Sequence, residues 1–256
     1  MKNLVAKTMT CLVVVLAGAA GADPIIFDRG LPTANLNNAS GANRSNVAWG
    51  DVDPYLVGDT FNLSGTSAYT IDEFTVWYIN STTYPVDEAT ANFSLYVGSS
   101  TAAPLTDVST SWTTSTVQYQ GGLDYQGTSG SFLTITQLTF TNLGLTVSGN
   151  TNYYFTVAAL DSSSNLIAPL FLHSSNAPLS GSTQQGANGL FSGFLYSNGA
   201  VTWDYDWNSA GGGWDKSSDV NVQITGAVVP VPAAAGLGFL GMGLVGILRR
   251  RKNTAA

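Results

Sequence analysis

Residues Thr70–Asn80 read Thr-Ile-Asp-Glu-Phe-Thr-Val-Trp-Tyr-Ile-Asn, and they decide the fold class. Successive side chains of an extended strand point to opposite faces. Phe74, Val76 and Tyr78 therefore share one face of this segment, while Thr75, Trp77 and Ile79 share the other. Bulky residues on both faces predict a strand covered from both sides.

The same period of two recurs outward from this strand. Phe93, Leu95 and Val97 alternate with Asn92, Ser94 and Tyr96, and Val220, Val222 and Ile224 alternate with Asn221, Gln223 and Thr225. A Thr-rich strand is expected over Phe132–Phe140, ending in Leu138 and Phe140. Leu143 to Asn152, with Gly144 and Ser148-Gly149-Asn150, reads as a turn feeding Tyr153-Tyr154-Phe155-Thr156-Val157. Gly121-Gly122, Ser129-Gly130 and Asn198-Gly199 supply further turns. No stretch between the two ends carries the period of 3.6 that a helix needs. The expected class is all-β: a β-sandwich, jelly-roll or Ig-like.

The two ends are of a different kind. Lys2 and Lys7 precede an apolar segment, Cys11 to Ala17, and a small-residue stretch with an A-x-A pattern at Ala20 and Ala22. Basic, apolar and small in that order is the layout of a secretory signal peptide, with cleavage expected between Ala22 and Asp23. A lipoprotein signal would place its cysteine after the apolar stretch, whereas Cys11 lies before most of it. At the other end Val229-Pro230-Val231-Pro232-Ala233 opens an apolar run that reaches Leu248 and stops at Arg249-Arg250-Arg251-Lys252. The prolines favour an extended strip, and Pro232 suits the first turn of a helix. A helix over 233–248 would rise roughly 24 Å, and the flanking residues from Val228 extend it toward the ~30 Å of a bilayer core. Basic residues resist translocation, which keeps Arg249–Lys252 cytoplasmic. The alternative is a short buried core helix.

The tail resembles a PEP-CTERM sorting signal of the variant whose motif reads Val-Pro-x-Pro-Ala. Its three parts correspond to Val229–Ala233, Ala234–Leu248 and Arg249–Lys252, with Val231 standing where the parent motif has glutamate. The resemblance implies cleavage near the prolines by a membrane-embedded exosortase, and release to the surface or extracellular polymer of a Gram-negative bacterium. Leu145–Tyr154 is also loosely similar to a strand entry in surface sandwiches with interchangeable C-terminal anchors. That likeness bears on fold class alone.

The expected organisation is a signal peptide over 1–22, a β-sandwich ectodomain over 23–227, and a sorting signal over 228–252 with its transmembrane helix at 233–248. All sixteen acids fall within the ectodomain, against Arg29, Arg44 and Lys216, so its charge is 3 − 16 = −13. Such a body repels nucleic acid and anionic membrane surfaces and stays soluble outside a cell. The single cysteine leaves with the signal peptide. Stability then rests on the core, without disulfides.

Chemistry-bearing residues are sparse. His173 is the sole histidine and sits in Pro-Leu-Phe-Leu-His-Ser-Ser, the setting of a hydrogen-bonded histidine at a strand end. Glu73 and Glu88 are the only glutamates, each beside an aspartate, and read as solvated strand-edge or loop residues. A glycosidase needs two carboxylates facing each other across a cleft, and no pair is nominated. Asp204, Asp206, Asn208 and Asp215 place oxygen ligands at positions one, three, five and twelve of a calcium-type loop, although Ser209 replaces the turn glycine. Asp51, Asp53 and Asp59 form a second acidic cluster. Trp203, Tyr205 and Trp207 share one face if they lie in a strand, which a core needs; Trp214, after a triple glycine, is the better aromatic for an exposed sugar platform.

The resulting expectation is an exported, exosortase-sorted cell-surface or extracellular-matrix protein with a structural or adhesive role, not an enzyme. A carbohydrate-binding module is the second reading and a secreted hydrolase the third. The implied partners are the Sec export machinery, signal peptidase, an exosortase-type processing enzyme and extracellular polysaccharide, with no nucleic acid. Calcium is the one cofactor with candidate ligands.

Overall fold

The computed structural model describes residues 23–30, 47–48, 55–79, 86–117, 125–126, 132–133, 135–168, 170–176, 191–206 and 218–230. Their strands, in chain order, begin with β1 (Ile25–Asp28), β2 (Val47–Ala48), β3 (Tyr55–Asn62), β4 (Ala68–Ile79), β5 (Asn92–Gly98) and β6 (Thr106–Asp107). There follow β7 (Ser111–Val117), β8 (Tyr125–Gln126), β9 (Phe132–Leu133), β10 (Ile135–Thr141), β11 (Leu145–Ser148) and β12 (Asn152–Leu160). The last are β13 (Leu166–Ala168), β14 (Phe171–Asn176), β15 (Phe191–Leu195), β16 (Val201–Asp206), β17 (Ser218–Val220) and β18 (Val222–Val228).

The larger sheet runs β1-β18-β4-β10-β7, with β11 and β14 also on β4, and β2 and β17 on β14. The smaller runs β16-β15-β3-β12-β5-β6, with β13 on β12, and β8 pairs β9 as a separate ribbon. The described residues are thus all-β and sandwich-like, two sheets facing each other across one core. Among them there is no helix, and so none long and apolar enough to cross a membrane; residues 233–248 lie outside the described set. The antiparallel pairings nest: β1 with β18, β3 with β12, β4 with β10 and β5 with β6, as in one long hairpin rolled up on itself.

β4 is the central strand that its alternation predicts. Phe74, Val76 and Tyr78 enter the core between the sheets, and Thr75, Trp77 and Ile79 are buried on the opposite face. The Trp77 indole N–H finds no acceptor among the described residues. Across the core Phe61 of β3 gathers a ring cluster, with Phe74 at 5.8 Å, Phe27 at 6.1 Å and Tyr153 stacked at 5.4 Å. Such rings carry large buried area and add about 0.5–1.5 kcal/mol per well-placed pair.

Two strand expectations are refined. The run over Phe132–Phe140 divides into β9 and β10, and only β10 joins the larger sheet. Leu145–Ser148 is itself a strand, β11, before the turn; Asn150 holds that turn at φ 55°. Asparagine tolerates this left-handed backbone better than most residues.

The smaller sheet buries both faces. Leu56, Tyr96, Ala158 and Leu160 alternate with the main-core residues of β3, β5 and β12, and form a second core with Leu105, Leu195 and Val201. Tyr96 was expected opposite the core residues of its strand, and this second cluster is why it is buried there. Leu105 stands just before β6 at one edge of the sheet, and its N–H donates to the Val201 carbonyl of β16 at the other edge, at 2.7 Å. The sheet therefore curls until its edges meet, enclosing the second core.

β18 bulges at Thr225/Gly226, where it passes β4. A Cβ on Gly226 would stand 2.1 Å from the Thr70 carbonyl oxygen, which is backbone and has little freedom to yield. Gly226→Ala is therefore expected to pry β18 from β4 and to lower stability by about 1–3 kcal/mol. Urea unfolding of the full chain checks this as a lowered midpoint with an unchanged slope; an unchanged midpoint contradicts it.

Candidate functional site

Alternation along β3 puts Asp59 on the same face as Val57 and Phe61, inside the core. A charge there must be paired and hydrogen-bonded, since desolvation costs several kcal/mol per ion. Arg29, just beyond β1, supplies the pair: its Nη1 lies 2.7 Å from Asp59 Oδ2, and both side chains are fully buried. Oδ2 also accepts the Val220 N–H at 2.6 Å, and Oδ1 accepts the Thr60 N–H at 2.6 Å. Arg29 Nη2 donates to the Thr60 carbonyl at 2.6 Å, and the guanidinium lies 5.3 Å from the Phe27 ring centre. The pair ties β3 of the smaller sheet to β1 and β17 of the larger.

Asn221, between β17 and β18, extends the network. Its Nδ2 donates to the Arg29 and Gly30 carbonyls, at 3.2 and 3.0 Å. Those two acceptors fix the orientation of the amide, so Oδ1 is the atom that faces His173 Nδ1 at 2.8 Å. Nδ1 therefore carries the proton of a neutral imidazole. Burial pushes His173 down from its ordinary 6.5 to about 4, the Asn221 bond pulling the other way. Burial pushes the Asp59 carboxyl up from 3.8 to about 7; Arg29 and the Thr60 and Val220 N–H groups pull down, while the charge of Asp219 adds to the rise. Arg29, Asp59, Asp219, Asn221 and His173 are each no more than 2% exposed, so a substrate cannot reach them. This cluster is a cross-link between sheets, and His173 is hydrogen-bonded as its setting predicts, although it lies within β14 and not at a strand end.

The other residues singled out in the sequence are scattered. Asp59 is taken up by Arg29 and cannot join Asp51 and Asp53, which lie outside the described residues, in an acidic site. Glu73 is exposed, whereas Glu88 is half-buried and accepts from Tyr78 Oη at 2.7 Å and Thr136 Oγ1 at 3.2 Å. Glu88 is thus not the solvated loop residue expected, because the β4 phenol, itself raised by burial and by Glu88, needs an acceptor inside the core. Asp204 and Asp206 have their backbone in strand β16, and Asn208 and Asp215 lie outside the described residues. Among the described residues no three His, Cys, Asp or Glu side chains are grouped to hold a metal. Trp203 is half-buried against the second core, not the main one; Tyr205 follows it in β16, and Trp207 and Trp214 lie outside the described residues. So do Ala20 and Ala22, Val231 to Ala233, and Arg249 to Lys252, while Asp23 precedes β1 and Val229 and Pro230 follow β18.

One accessible concavity was not legible in the sequence. A groove of about 480 Å³ lies between the β12–β13 turn and the β15–β16 turn, lined by Ser164, Asn165, Leu166, Phe194, Leu195, Tyr196 and Ser197. Leu195, of the second core, and Leu166, packed against that core, supply its aliphatic lining. Tyr196 is 47% exposed, its ring 4.7 Å from Phe194, which meets Tyr55 edge-on at 5.2 Å. The aromatic pattern near 203–207 lies in the neighbouring strand, and the exposed Tyr196 ring belongs to the turn before it.

The buried cluster links stability to pH through two opposed groups. His173, depressed, contributes stability that is present above 6.5 and lost as pH falls through about 4. Asp59, raised, contributes stability that is present below 3.8 and lost as pH rises through about 7. Asp59→Asn removes only the second effect. Its unfolding free energy, measured with urea at pH 7 and pH 4.5, is expected to fall more steeply on acidification than that of the wild type; an equal or shallower fall overturns the assignment.

Comparison with protein-family models, with curated proteins and with solved structures finds nothing that matches this chain.

Proposed function

We propose that this chain is an exported protein, sorted by an exosortase-type enzyme to the cell surface or extracellular matrix, where a jelly-roll body serves a structural or adhesive role. The nested pairing of β1–β18, β3–β12, β4–β10 and β5–β6 favours the jelly-roll over the Ig-like form of sandwich. Fold alone does not assign a role. The sorting reading rests on the tail motif and its likeness to PEP-CTERM signals.

The observation that carries it is the exposed end of β18, the last described strand, from which the chain passes into the motif at Val229 and Pro230. Val228 is 51% exposed, and the Val229 N–H still donates to the Ala68 carbonyl at 2.9 Å before the chain reaches exposed Pro230. Pro230 thus follows a solvent-facing strand end, which suits an enzyme that reads extended backbone. Pro24 accepts the Gly226 N–H at 3.1 Å, so the entry and exit of the body are neighbours at one end of the larger sheet.

The second reading, a carbohydrate-binding module, is favoured by the groove at Tyr196. Mass spectrometry of the released protein tests the first. The expected species spans about Asp23 to Val229, and the paired change Pro230→Ala with Pro232→Ala is expected to hold the chain in the membrane fraction. Released chain that still carries Arg249–Lys252 contradicts the proposal.

A further inference from the structure

We infer that the groove between the β12–β13 and β15–β16 turns binds a neutral saccharide, with a sugar ring lying on Tyr196. This deepens the carbohydrate-binding reading, on which it rests, and does not depend on the sorting reading.

A pyranose presents an apolar C–H face and a rim of hydroxyls. Its site needs an exposed aromatic ring beside neutral donors and acceptors. Tyr196 supplies the ring, and Phe194, itself held edge-on by Tyr55, braces it at 4.7 Å. Ser164, Asn165 and Ser197 supply hydroxyl and amide groups around Leu166 and Leu195. A volume of about 480 Å³ suits a short saccharide segment, ligand pockets generally running from about 300 to 1,000 Å³.

Both walls are fixed in advance. Asp161 clasps the first turn: its carboxylate accepts the N–H groups of Ser163 and Asn165, at 2.8 and 2.9 Å, and the Asn165 side chain at 3.1 Å. These donors hold the Asp161 carboxyl below its ordinary range. In the second turn the Tyr196 N–H donates to the Ala200 carbonyl at 2.8 Å, and Asn198 Oδ1 accepts the Ala200 N–H at 3.0 Å. Gly199 has φ 80° there, the left-handed backbone that glycine adopts without strain. Preordered walls reduce the ordering cost that weakens binding to mobile loops.

Charge decides the ligand class. No lining residue carries a charge at neutral pH, while residues 23–227 carry 3 − 16 = −13. A uronate or sulfated polymer would meet repulsion from such a body, and a neutral hexose polymer would not.

Affinity electrophoresis of the full-length chain in detergent tests this, with laminarin, glucomannan or dextran in the gel and alginate as the anionic counterpart. At least one neutral polysaccharide is expected to retard the wild type. Tyr196→Ala should weaken that retardation about tenfold, roughly 1.4 kcal/mol, and Tyr196→Phe should retain it. Thermal unfolding should show both variants cooperatively folded at the assay temperature, because the Tyr196 ring is half exposed and its removal costs only the contact with Phe194. Retardation by alginate alone, by none of the four, or undiminished in Tyr196→Ala overturns the inference. Each of these results leaves the composition of the released chain, and hence the sorting reading, to its own measurement.

Discussion

Arg29 and Asp59 impose the constraint around which the body is arranged. Asp59 occupies a core-facing position of β3, between Val57 and Phe61, where its charge is unaffordable alone. The fold must therefore deliver a cation and further donors to one buried point. Arg29 follows β1, the Val220 N–H ends β17, and the Thr60 N–H belongs to the strand itself. Satisfying Asp59 fixes β1, β3 and β17 relative to one another, and Asn221 carries the order on to His173 in β14. A one-residue slip of β3 would turn Asp59 to the other face and bring Leu56 and Thr60 inward, so the pair also defends the register. With Cys11 the single cysteine of the sequence, no disulfide within the chain does this work. Such a pair favours one arrangement over its competitors more than it adds net stability.

The second core shapes the groove at Tyr196. By curling until Leu105 meets Val201, the smaller sheet encloses Leu56, Tyr96, Ala158 and Leu160 on its far face. The β15–β16 hairpin is needed for that closure. Its turn raises Tyr196 beside the Asp161-clasped turn, so the groove is a by-product of how the second core is closed. Binding chemistry on turns carried by a rigid sheet is a common division of labour.

The all-β class was legible because β4, β5 and β18 alternate cleanly in sequence; burial repeats that alternation in β18, whereas β4 and β5 are buried on both faces. Trp77 and Ile79 opposite Phe74 and Val76 signalled a strand covered on both sides. Other features were not legible because they join distant segments. Asp59 looked like one of three acids near a loop, and its partner is 30 residues away in a strand end that reads as ordinary. Glu88 looked solvated because nothing local shows that Tyr78 reaches it from β4. Tyr196 stood outside the conspicuous tryptophan cluster, and only strand pairing reveals that its turn faces Asn165. Periodicity reports which face a residue takes; it is silent on what comes to meet it.

A double-mutant cycle on Arg29 and Asp59 bears most directly on the inter-sheet constraint, with urea unfolding of Arg29→Met, Asp59→Leu and the double variant at neutral pH. Each single change leaves an uncompensated buried group and is expected to cost about 3–5 kcal/mol, while the double change costs clearly less than their sum. Two small single losses that simply add, to within about 0.5 kcal/mol, would mean that the sheets are held together by their apolar faces alone.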